Sequence, residues 1–92
     1  MAVEMRTEVQ GMPGEQWEGF VANVLPLMKK APGFISHTSG PIDNGHFVTE
    51  LWESSQDHER WVREVIMPMM QQVGVTEPPV VQYRPVDHVI AR

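Results

Sequence analysis

Polar and apolar residues alternate from Ala2 to Gln10, with Val3, Met5, Thr7 and Val9 on one side and Glu4, Arg6, Glu8 and Gln10 on the other. A period of two over this length predicts a β-strand with one apolar face. Gly11-Met12-Pro13-Gly14 breaks the alternation. Phe20, Val21, Val24, Leu25 and Met28 then follow Trp17 at intervals of three, four, seven, eight and eleven, which predicts an amphipathic helix. Pro26 lies inside that run and predicts a kink or an end near Val24. Lys29 and Lys30 suit the negative C-terminal end of the helix dipole.

Ala31-Pro32-Gly33 closes the helix, and Phe34 to Ser39 reads as a short strand. Gly40 to Gly45 is dense in turn formers, and His46 to Glu53 resumes strand character, so the two segments predict an antiparallel hairpin with a loop of about six residues. With Ser39 facing His46, one side carries Ile35, His37, Ser39, His46, Val48, Glu50 and Trp52. A slip of one residue moves His37 to the opposite face. Ser54 or Ser55 can cap a second helix whose first turn includes Asp57. His58, Trp61, Val62, Val65 and Met69 form its inner stripe, with Ile66 and Met70 at the edge and Pro68 disturbing the last turn. Gly74 and Pro78-Pro79 precede a fourth strand, Val80 to Arg84, and Pro85 separates it from an apolar tail, Val86 to Ile90.

The order of elements is βαββαβ. It predicts an α+β, ferredoxin-like fold over residues 1–92 as a single domain, with an antiparallel sheet and both helices on one face. The other sheet face is left uncovered, and two copies pairing those faces would make a homodimer, a dimeric α/β barrel.

Charge and composition narrow the partners. A formal charge of -5, with Lys and Arg few and scattered, argues against nucleic acid. No apolar run is long enough to span a bilayer, and acidic residues occupy the start where a signal peptide needs an apolar core, so a cytoplasmic protein with no membrane partner is expected. The absence of cysteine excludes disulfides, thiolate catalysis and Cys-ligated metals. His46 with Glu50, and His58 with Glu59, lack the spacing of a metal site, so no metal is expected.

Pro32-Gly33-Phe34-Ile35, the hairpin Gly40 to Gly45, and Leu51-Trp52-Glu53-Ser54 before an acidic helix resemble the antibiotic biosynthesis monooxygenase family of dimeric α/β barrels. The resemblance covers nearly the whole chain and is nearest to short actinobacterial-type members. It implies a small enzyme that needs no cofactor and acts on an apolar, aromatic or polyketide-type metabolite, by monooxygenation or by acid/base cyclisation. In members that oxidise aromatic polyketides without metal or flavin, the strand-end Trp has an Asn four residues before it and a Tyr six residues after it. Here Trp52 matches, Val48 replaces the Asn and His58 replaces the Tyr. That departure weakens the usual oxygenation route and leaves an acid/base role open.

The candidate site is the corner where the strand ending at Trp52 meets the helix carrying His58. His58 is either a general base, kept neutral by the positive helix start, or a packed or capping histidine. Trp52 is either a flat wall for substrate or part of the core. Glu50 and His37 form either a buried supporting pair or a polar pair at a wet edge or dimer interface. Tyr83 and Arg84 alternate, so one of them looks inward. Trp61, with Trp17, Phe20 and Met28, Met67, Met69 and Met70, lines either a core or an adaptable apolar pocket. His46 is expected to face solvent, and His88 is either oriented by Asp87 or a surface residue of the tail. A non-catalytic, ligand-binding or structural homodimer of the same fold is the alternative function.

Overall fold

The alternation of the first residues becomes β1 (Ala2–Gln10), which buries Met5 and half-buries Val3, Thr7 and Val9 on the same side. The computed structural model describes residues 1–74 and 79–92. α1 (Gly14–Met28) buries Trp17, Val24 and Met28. Leu25 shares their periodicity but is 42% exposed, because eight residues from Trp17 place it well round the helix from the buried line. The helix also continues through Pro26 to Met28 instead of ending near Val24. Pro26 is exposed, as is Ala22, whose carbonyl loses its donor, so solvent can take the place of the missing N–H.

Gly33 joins α1 to the sheet at φ +84°, where a Cβ would collide with the Asp57 carboxylate. A side chain there would displace the start of the second helix. β2 (Phe34–Ile42) is longer than the sequence predicts, β3 (Gly45–Trp52) begins and ends one residue earlier, and the connection is the tight turn Asp43-Asn44 in place of a six-residue loop. Asn44 supplies the left-handed conformation, φ 61°, which asparagine tolerates. Ser39 pairs with Val48 and Pro41 with His46, a register two residues from the expected one, which leaves His37 on the same face. A bulge at Ile35 has the larger effect. Phe34 takes the place opposite Trp52 and meets its ring edge-on at 5.4 Å, while Ile35 leaves the inner face and is exposed.

Ser54 caps α2 (Ser55–Trp61), its hydroxyl accepting the Asp57 N–H at 3.1 Å. A π-helical turn (Val62–Ile66) follows, then α3 (Met67–Gln72). The Met67 N–H reaches back to the Val62 carbonyl just before Pro68. Widening the turn there makes room for a ring that cannot donate, so the disturbance falls ahead of the proline. β4 (Val81–Val86) runs through Pro85, which pairs with Val3, and so includes the first residue of the expected tail. An edge strand tolerates proline because one of its sides needs no donors. Of the turn formers assigned to the connection before it, Pro78 lies outside the described residues.

The sheet order is β2-β3-β1-β4 with all neighbours antiparallel, the ferredoxin-like α+β arrangement. Trp17, Val24 and Met28 of α1 and Trp61 of α2 pack on Met5, Val48 and Trp52, so the helices cover one face. The other face is more polar than an uncovered apolar surface. Arg84 pairs with Glu4 there, and the Arg6 guanidinium lies 5.1 Å from the Phe47 ring centre. No helix among the described residues is long and apolar enough to cross a membrane.

Candidate functional site

β3 alternates strictly, and its inward residues are Val48, Glu50 and Trp52. A carboxylate in that row is unusual. Glu50 is 4% exposed, so it requires hydrogen-bond donors inside the protein. The Trp52 indole N–H donates to Glu50 Oε1 at 2.9 Å. His37, directly opposite on β2, places Nδ1 2.7 Å from Glu50 Oε2. His58, in the opening turn of α2, sits edge-on to Trp52 at 5.5 Å, with Nε2 3.8 Å from Glu50 Oε1. Its Nδ1 is 2.7 Å from the hydroxyl of Tyr83 on β4. Two strands and one helix thus meet at a single buried carboxylate, and a third strand joins them through Tyr83 on His58.

Burial pushes the His58 imidazole below its ordinary value, against the opposing pull of Glu50 and Glu59. The same desolvation pushes the Tyr83 phenol above its ordinary value, and Glu59 and Glu50 add to that shift. Both shifts favour the neutral forms of these groups near pH 7.

A cavity of about 100 Å³ lies between the helices and the sheet. Trp17, Val24, Val48, Trp61 and Met70 form apolar walls, and His37, Glu50 and His58 contribute the polar one. Val48 and Trp61, expected from the sequence as substrate-contacting residues, both line this cavity. Trp52, read from the sequence as either a substrate wall or part of the core, is 0% exposed and is not among the lining residues. Its ring completes the core and its N–H fixes Glu50. Tyr83 lines an outer cleft of about 480 Å³ with Arg63 and Met67, and His58 and Val62 border both spaces.

The remaining candidates separate clearly. His46 is not solvent-facing: it stacks on Trp17 at 4.7 Å, and its Nδ1 is buried without a hydrogen-bond partner among the described residues. Arg84 points to the other sheet face and pairs with Glu4, leaving Tyr83 as the inward residue of the two. His88 and Asp87 are exposed. Sequence reasoning missed the bond between Tyr83 and His58, whose only trace is the parity of β4, which puts Tyr83 opposite Met5. It also missed Met12, read as part of a turn, which lines the cavity. Among the described residues, no group of three or more His, Asp or Glu is placed to hold a metal ion.

No protein-family model matches the chain, and no curated protein sequence matches it. Solved structures do. A Bordetella bronchiseptica protein assigned as an antibiotic biosynthesis monooxygenase is similar with a TM-score of 0.72 and 20% identity, over 95% of this chain and 98% of that one. A mutant form of SnoaB, a cofactor-independent oxygenase from Streptomyces nogalater, matches with a TM-score of 0.63 and 18% identity, over 99% and 96%. The haem-degrading protein Rv3592 from Mycobacterium tuberculosis matches with a TM-score of 0.66 and 18% identity, over 99% and 100%. At these identities the likeness establishes a shared fold.

Proposed function

We propose that the protein is a small enzyme that moves a proton on an apolar, aromatic or polyketide-type metabolite, driving cyclisation or initiating a cofactor-free oxygenation. One observation carries this reading: Glu50, buried at the wall of an apolar cavity, is flanked by two imidazoles, one of them hydrogen-bonded to a phenol. Titratable groups gathered in an apolar pocket with shifted proton affinities are the general mark of acid/base sites. The fold supports the reading too, since one structural neighbour is a cofactor-independent oxygenase. Val48 gives no amide to polarise a substrate, which favours proton transfer over oxygenation. A cavity of about 100 Å³ holds roughly one ring. A longer substrate would pass His58 and lay its remainder in the outer cleft.

Incubation with a polyketide-type ketone in air and under argon tests the reading. Cyclised product in both supports acid/base catalysis, and consumption in air alone supports oxygenation. A second reading, a non-catalytic binder, draws on the complete burial of Trp52 and the small cavity. Tight binding without product under either atmosphere would favour it.

In this proposal residues 1–92 form one unit that works as a cytoplasmic homodimer. Phe47 and Leu51 are half-buried on the outer sheet face, and a second copy would cover them. Sedimentation equilibrium should give a dimer for the native chain and a monomer for Leu51→Asp. A monomeric native chain would remove the barrel.

A further inference from the structure

The two imidazoles beside Glu50 have second partners of different kinds. His37 Nδ1 lies 2.7 Å from Glu50 Oε2, and a carboxylate accepts but does not donate. The proton of that bond therefore sits on Nδ1, which in the neutral imidazole leaves the lone pair on Nε2. That Nε2 is buried, has no hydrogen-bond partner among the described residues, and belongs to a side chain lining the cavity. A buried acceptor left in this state is uncommon and costly. His58 is the reverse case. Its Nδ1 meets the Tyr83 hydroxyl, which can donate, while its Nε2 is nearest to Glu50 Oε1, which can only accept. With the phenol donating to Nδ1, the neutral ring carries its proton on Nε2.

We propose, building on the acid/base reading of this site, that His37 Nε2 is the proton acceptor, Glu50 the residue that positions it, and His58 Nε2–H the donor to the oxygen where negative charge develops. This reverses the part expected of His58 from the sequence. It also defines the substrate class: an uncharged molecule with a phenolic O–H, or a C–H beside a carbonyl. No lysine or arginine lines the cavity among the described residues, so a substrate already anionic would be desolvated without a counter-charge. In the step itself the substrate O–H or C–H bond breaks and a new N–H bond forms at His37 Nε2. The electron pair stays on the substrate as phenolate or enolate, and the new imidazolium faces the Glu50 carboxylate. No oxidant is consumed.

Heteronuclear NMR of the imidazole nitrogens in the full chain reads both tautomers directly. The expected result is a protonated Nδ1 and bare Nε2 in His37, with the opposite in His58. Glu50→Gln turns one acceptor into an amide donor, so the His37 proton should move to Nε2, a swap that general loosening of the core would not produce. The working probe is para-nitrophenol, with binding read from tryptophan fluorescence and proton transfer from the phenolate absorbance band. Native protein should show bound phenolate at a pH where the free probe is still a phenol. His37→Gln and Glu50→Gln should bind the probe and lose that band. A native His37 protonated at Nε2, or a band that survives His37→Gln, overturns the assignment. The expected tautomers with no probe binding overturn the acid/base reading of the cavity, and the proposal with it.

Discussion

Glu50 and Glu4 are one register position apart on neighbouring strands, since Met5 pairs with Glu50 and Glu4 with Leu51. They face opposite sides of the sheet. Glu4 is bonded by the Arg84 guanidinium, whose side chain is 76% exposed, and water shares in solvating the pair. Glu50 has no such guanidinium partner among the described residues and is satisfied by an indole N–H and an imidazole. The difference shows what the fold does with a carboxylate. On the outer face the charge is a solubilising detail, whereas on the inner face it orders other side chains. Removing the inner one should have the largest effect. Glu50→Ala leaves two buried groups without their acceptor and should cost roughly 2–5 kcal/mol in urea unfolding. A loss below about 1 kcal/mol would mean that the network is not what holds these side chains.

Acid should sharpen the contrast next, because the inner network depends on a neutral His58. Its folded-state pKa is lowered, so the unfolded chain binds the proton more readily than the native one. The stabilisation is complete above the ordinary value of 6.5 and is lost as pH falls from there towards the folded pKa. Thermal melts should therefore drop in midpoint on mild acidification, and His58→Asn should flatten that slope. An unchanged slope in the variant would show that the titration arises elsewhere. Tyr83 gives the mirror image at the alkaline end: its raised pKa means stability declines as pH climbs past 10.0, where the unfolded phenol ionises first.

How much of this was readable from the chain follows from the same physics. Periodicity located β1, α1 and the strand into Trp52, because each buries one face and repeats it. The parity of β2 and β3 put His37 on the Glu50 side, and the actual two-residue offset preserved it. Prolines misled. Pro26, Pro41 and Pro85 each suggested a break or loop, yet all three are exposed and lie within elements. The Ile35 bulge has no local signature, so the exchange of Ile35 for Phe34 beside Trp52 could not be read. The His58 to Tyr83 bond was equally hidden. It spans 25 residues and exists only because β4 crosses to pair with β1.

The outer pair gives the smallest effect and tests how far the comparison extends. An exposed ion pair is screened by water and its side chains lose entropy on pairing, so Glu4→Ala should cost about 0.5 kcal/mol or less in the isolated chain. That expectation holds only while solvent reaches the outer face. If two copies pair their sheets there, Glu4 and Arg84 lose water together, and removing one partner leaves the other charge uncompensated. The cost of Glu4→Ala would then grow with protein concentration, because association and folding are coupled. Unfolding measured across a dilution series separates the two cases. A small effect at every concentration keeps the ion pair at the surface and places the dimer contact elsewhere. An effect that rises towards that of Glu50→Ala would show that both faces of this sheet are interiors, one within a chain and the other between two.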